Sequence, residues 1–175
     1  QAERPPTPES ADTWKVGEDI FTPGQSGDAM RYMYSPTLDS NLYPPELGGS
    51  RDFYADRYLG QQDNGGVHLN SGIANLAFYL LSDGGYHPRL RVPFRVNGIG
   101  LDKAGAIFQR ALTQGYLTMN SNFAAARVAT EETAADLYGA AEVTAVGMAW
   151  AAAGVGQPPV NDTVPPTVSF VDPID

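Results

Sequence analysis

The stretch Asp63-Asn64-Gly65-Gly66-Val67-His68-Leu69-Asn70-Ser71-Gly72-Ile73-Ala74-Asn75 holds the densest chemistry in the sequence. His68 is one of only two histidines, and it follows a Gly-Gly turn at what reads as the start of a helix. A helix N-terminus disfavours a protonated imidazole, whereas a nearby carboxylate favours it and can fix its tautomer through an Nδ1–H bond. Asp63 is the natural candidate for that carboxylate. A histidine so held could donate its other N–H to an oxyanion developing in a transition state. The plainer reading is that Asp63 caps the helix and His68 packs in its first turn, and spacing alone favours it. Arg31, flanked by Met30 and Tyr32, offers a rigid fork of donors. Its plainer reading is a surface ion pair with Asp28.

The elements that must position these groups divide the chain in two. From Phe94 to Gln157 there is no proline and alanine is dense. Leu69, Ile73, Leu76 and Leu80 step by four, three and four, which predicts an amphipathic helix opening near Asn64-Gly65-Gly66 and stopping at Ser82-Asp83-Gly84-Gly85. Further helices are expected over 102–114, with Ile107, Phe108, Ala111 and Leu112 inward, and over 122–138, burying Phe123, Val128 and Leu137. A fourth, from 142 to about 153, offers Val143, Val146 and Trp150. The predicted fold is mainly α: four antiparallel helices in a bundle, packed closely through their alanines. Residues 1–63 are rich in Gly, Pro, Tyr and Asp and predict long ordered loops wrapped on that bundle, with short helical stretches near 28–33 and 52–58. Eight of the fourteen prolines lie in residues 1–10 and 157–175. The expected organisation is a linker over 1–13, one domain over 14–156 and a second linker over 157–175 that turns β-like, as before a β-sandwich module.

Composition narrows the partners. Eleven Lys+Arg against twenty Asp+Glu give a net charge of −9 across 175 residues, with the basic residues scattered, which argues against a nucleic-acid partner. No run approaches the ~20 apolar residues that span a bilayer, so no membrane partner is expected. The first residues carry no apolar signal-peptide core and no initiator Met, which suggests a piece of a longer chain. The absence of cysteine excludes disulfides, a thiol nucleophile and a thiolate-bound metal. A secreted protein without disulfides needs another staple, and in an acidic chain bound calcium is the usual one.

Several segments together resemble the thermolysin family of zinc neutral metalloproteases. The Asp63–Asn75 stretch is similar to that family's second zinc-protease signature. Trp14-Lys15-Val16-Gly17-Glu18-Asp19-Ile20-Phe21-Thr22-Pro23-Gly24 and Gly27-Asp28-Ala29-Met30-Arg31 resemble its segment after the zinc site. Gly98-Ile99-Gly100, Ile107-Phe108-Gln109-Arg110-Ala111-Leu112-Thr113 and Ala135-Asp136-Leu137-Tyr138-Gly139 resemble its C-terminal helices. The resemblance covers about residues 14–156. It implies that His68 hydrogen-bonds the tetrahedral oxyanion while Asp63 orients it. It further implies that Arg31 binds a substrate backbone carbonyl on the primed side, and that Ile20 and Met30 line a pocket for an apolar side chain just after the scissile bond.

The resemblance also marks what this sequence lacks. The family's zinc sits on a helix bearing His-Glu-x-x-His, whose Glu activates the metal-bound water. No such motif is present, and His68 and His87 stand nineteen positions apart. Zinc is therefore expected on a partnering N-terminal half of the same secreted protease. Glu18 matches a family position that helps hold a calcium shared with that half; Thr22 and Asp28 match a calcium loop of this one, where hard oxygen donors flank a Pro-Gly turn. Lys15 and Thr13 stand where strong calcium binders carry acids, which weakens a paired site. Extra residues around 41–49 are left without a role. The resulting expectation is the substrate-binding half of a secreted metalloendopeptidase acting on peptides, inactive alone. A stand-alone helical binding module is the alternative.

Overall fold

The computed structural model describes residues 13–39 and 43–159. Both expected linkers fall mostly outside that range. Two short strands, β1 (Lys15–Val16) and β2 (Arg31–Tyr32), pair antiparallel with Lys15 opposite Tyr32 and Val16 opposite Arg31. Four helices follow: α1 (Gln62–Asp83), α2 (Leu101–Thr113), α3 (Phe123–Leu137) and α4 (Ala140–Ala152). Each packs on the next in the chain, and α4 returns to α1. This is the mainly α bundle the sequence predicts.

The core is where the periodicity placed it. Leu69, Ile73, Leu76 and Leu80 form a fully buried row on α1, each side chain contributing about 1.5–3 kcal/mol through removal from water. Trp150 of α4 stacks on Phe108 of α2 with centroids 6.1 Å apart, and its indole N–H reaches Thr130 Oγ1 of α3 at 2.9 Å. Burying the ring therefore leaves no orphan donor. Two expectations are corrected. Leu112 is 67% exposed and Val128 51% exposed. The buried row of α2 runs through Ala104, Ile107 and Ala111, and Leu112 lies about 100° around the helix from Ala111. On α3 the buried row is Ala129, Thr130, Thr133 and Ala134, which leaves Val128 outward.

The irregular half is seated on α1 by side chains rather than by periodicity. Trp14 is buried, sets its ring edge-on against Phe78 and Tyr79, and donates Nε1–H to Asp83 Oδ2 at 2.8 Å. Asn70 clamps the Tyr58 backbone from both sides, accepting from its N–H at 2.8 Å and donating to its carbonyl at 3.0 Å. The Arg51 N–H bonds the Leu69 carbonyl at 2.7 Å. This close approach requires Gly72: a Cβ there would lie 2.5 Å from the Arg51 oxygen and 2.8 Å from Pro36 Cβ. The helical stretches expected near 28–33 and 52–58 are, respectively, the strand β2 and a single 3₁₀ turn over Tyr54–Asp56.

His87, in the loop that follows α1, is 1% exposed. Its Nδ1 accepts from the Arg89 N–H and its Nε2 faces the Asp52 carbonyl at 3.2 Å, which sets the proton on Nε2. Burial, reinforced by Arg89 and Arg91 and opposed by Asp52, pushes its pKa below the usual histidine value. Buried Asp52 is paired by Arg89, which also meets Asp56 at 3.1 Å.

Candidate functional site

The turn before α1 is left-handed. Asp63, Asn64, Gly65 and Gly66 have φ of 55°, 49°, 81° and 83°, so the right-handed helix begins at Val67. Asn and Asp tolerate this region better than other side chains, and glycine adopts it freely. Gly66 is also needed for space, since a Cβ there would lie 2.8 Å from Tyr58 Cδ1. The strain, of order 1–3 kcal/mol per non-glycine residue, is offset by what it achieves. It folds the Asp63 carboxylate back over the helix start, where Oδ2 accepts the backbone N–H groups of His68 and Leu69, both at 2.9 Å.

The other carboxylate oxygen, Oδ1, meets His68 Nδ1 at 2.6 Å. Asp63 therefore caps the helix and orients the imidazole at once, while the His68 ring does not pack against the helix as the plainer reading had it. Burial raises the Asp63 pKa, but the bonds from His68 and from the two backbone N–H groups outweigh it and hold the carboxyl below its ordinary range. The His68 side chain is 65% exposed while Asp63 is 12% exposed. With Nδ1 engaged, Nε2 is the ring nitrogen left for a further partner.

Arg31 sits on β2, with its side chain 15% accessible. The ion pair with Asp28, the plainer reading of Arg31, does not form; Nη1 instead bonds Asp39 Oδ2 at 2.9 Å, the Tyr43 hydroxyl at 2.7 Å and Ser50 Oγ at 3.2 Å. Burial disfavours the charge, yet the bonds to Tyr43 and Asp39 prevail and raise the guanidinium pKa. These three partners lie eight to nineteen residues away in an irregular segment. No periodicity or motif announced them.

Ile20 and Met30 come together over Gly17, whose added Cβ would lie 3.4 Å from Met30 Cβ and 3.8 Å from Ile20 Cγ1. Ile20 is 77% and Met30 36% exposed, so they form an open apolar surface. Thr22 and Asp28 are also neighbours: the threonine hydroxyl donates to Asp28 Oδ2 at 2.7 Å, and the Tyr32 hydroxyl donates to Oδ1 at 2.8 Å. The bonds from Thr22 and Tyr32, against burial, hold Asp28 below the usual carboxylate range. An ionised carboxylate beside a hydroxyl on a loop is a donor set that fits calcium, with backbone carbonyls and water completing it. Glu18 lies half-buried in the same loop. For zinc the residues do not fit. His87 has both ring nitrogens engaged, His68 is held by Asp63, and no group of three His, Asp or Glu side chains suited to a metal occurs among the described residues.

Comparison with known proteins bears on this arrangement. The family model described as thermolysin metallopeptidase, alpha-helical domain, matches residues 3–155. The thermostable neutral protease NprT of Geobacillus stearothermophilus is 51% identical over 144 residues, which is 81% of this chain and 24% of the relative. Bacillolysin of Bacillus cereus is 49% identical over 144 residues, 81% of this chain and 23% of that protein. The solved precursor of protealysin, a metalloproteinase from Serratia proteamaculans, superposes with a TM-score of 0.62 at 32% identity, covering 83% of this chain and 42% of that one. The chain thus spans about a quarter of the length of the curated relatives it matches. With its four-helix bundle and its histidine-bearing helix start, it belongs to the thermolysin metallopeptidase family as that family's C-terminal α-helical domain.

Proposed function

We propose that this domain is the substrate-binding and oxyanion-stabilising half of a secreted thermolysin-like zinc metalloendopeptidase, with residues 14–156 as the working unit and the flanking segments as linkers. The observation that carries the reading is the exposed His68 imidazole, locked through Nδ1 onto Asp63. Zinc, supplied by an N-terminal half outside this sequence, would provide the activated water. The described residues here offer no ligand set for it. What this chain contributes is position and charge. Nε2–H of the His68 imidazole donates to the oxygen that becomes negative when a peptide carbonyl is attacked, and the Asp63 carboxylate on Nδ1 holds the ring in that orientation. Arg31 donates to a backbone carbonyl beyond the scissile bond. Ile20 and Met30 receive the apolar side chain between them. Calcium on Thr22 and Asp28 would hold the loop that carries these two residues, and Glu18 would help hold a separate calcium shared with the other half. The isolated chain is expected to be inactive.

The test is His68→Ala in the full-length enzyme. A donor that acts on the transition state should lower kcat by roughly 10²–10³-fold with little change in KM. Asp63→Asn should cost less, because the amide keeps one acceptor oxygen beside the ring and the helix start while losing the orienting charge and the second acceptor. An effect of His68→Ala confined to KM would reject the oxyanion role.

A further inference from the structure

The cluster around Arg31 has a role that neither the motif nor the family match assigns. Resting on the reading above that Arg31 binds a substrate carbonyl, we propose that Asp39 and Tyr43 are positioning residues that hold its guanidinium ready for that carbonyl. The segment from Tyr43 to Ser50 is then the mount that brings them there.

The Asp39 side chain is completely buried. A buried carboxylate must be fully bonded, and this one is. Its Oδ1 accepts the Ser50 N–H at 2.7 Å; its Oδ2 accepts the Ser50 hydroxyl at 2.6 Å and Arg31 Nη1 at 2.9 Å. Two bonds from one residue fix the plane of the carboxylate, and so fix the direction in which it holds the arginine. The Tyr43 hydroxyl takes the second hydrogen of the same nitrogen at 2.7 Å, and the tyrosine ring centroid lies 5.6 Å from Arg31 Cζ. All these bonds fall on Nη1. Among the described residues Nη2 and Nε carry no such bond, and the side chain is still partly accessible. The guanidinium is pinned by one nitrogen and presents the others. A long side chain ordered beforehand gives up less rotamer freedom when substrate arrives.

The mount is also registered to the histidine. Ser50 Cβ and the Arg51 carbonyl lie 3.0 and 2.5 Å from where a Gly72 Cβ would stand, and the Arg51 N–H bonds the Leu69 carbonyl. These contacts fall on the first two turns of the helix that begins beside His68. One seam therefore ties the carbonyl-binding arginine to the oxyanion-binding histidine.

The test uses the full-length metalloenzyme and two substrates. One is an N-blocked dipeptide amide with leucine after the scissile bond. The other is the matched 3-methylbutylamide, which keeps the apolar side chain and lacks the carbonyl. The readout is the preference, the ratio of kcat/KM for the first substrate over the second. Arg31→Ala should collapse it by roughly tenfold or more, as expected for a bond from a charged donor. Tyr43→Phe and Asp39→Asn should each reduce it by about three- to tenfold at an unchanged thermal midpoint for Tyr43→Phe. Equal losses on both substrates would make the cluster merely structural and overturn the proposal. So would an unchanged preference in Tyr43→Phe and Asp39→Asn beside a collapsed one in Arg31→Ala, which would leave the functional reading intact. If Arg31→Ala itself leaves the preference unchanged, the carbonyl-binding role fails and this inference falls with it. Should Asp39→Asn not fold, Tyr43→Phe, which deletes one oxygen from a half-buried ring, decides alone.

Discussion

The helical region and the loop region that precedes it are stabilised differently. In the bundle, long apolar side chains from all four helices converge, and Trp150, Ile107, Leu76 and Leu80 are removed from water altogether. Between residues 14 and 58 the order comes from polar contacts reaching onto α1, Trp14 to Asp83, Asn70 to Tyr58 and Arg51 to Leu69, and from contacts within the loop such as Ser50 to Asp39. Burial is non-directional and tolerates small shifts, whereas each of these bonds works in one geometry. The bundle therefore serves as scaffold, and the loops hold Arg31 and its partners in place.

The largest effect should come from the bundle. Trp150→Ala removes the ring that stacks on Phe108 and the N–H that Thr130 Oγ1 accepts, and a cost of about 3–5 kcal/mol is expected. Chemical denaturation would show the loss across the whole domain. A loss confined to the loops would mean the two regions unfold independently.

A pair of identical substitutions sharpens the contrast. Gly72 and Gly105 both lie inside helices. A Cβ at Gly105 meets nothing within 4 Å, so Gly105→Ala should stabilise by about 1 kcal/mol through helix propensity. A Cβ at Gly72 would enter the Arg51 backbone. Gly72→Ala should therefore destabilise by about 1–3 kcal/mol and weaken the seam beneath Arg31. Stabilisation by both would show that the loop is not seated on α1.

The smallest expected effect is local. A calcium held through Thr22 and Asp28 would stabilise only the ordered loop, in proportion to the logarithm of its concentration. Chelation should lower hydrogen-exchange protection over residues 14–31 and leave the bundle from Val67 to Ala152 unchanged. Equal protection with and without chelator would remove calcium from this domain.

What the sequence alone determined about this protein is what short range and periodicity encode. The 4-3-4 spacing on α1 places its buried row because a helix repeats every 3.6 residues. Asp63 and His68 are five residues apart, so one turn suffices to join them, although its left-handed sense was not foreseen. The tertiary structure alone decided the surroundings of Arg31, the burial of His87 and the pairing of Asp52 with Arg89 across thirty-seven positions. Those contacts lie in segments without a repeat, where side-chain direction follows from where the chain is pressed against a helix. At Gly72 that pressing depends on a missing Cβ, and its consequence appears only once the loop is folded onto α1.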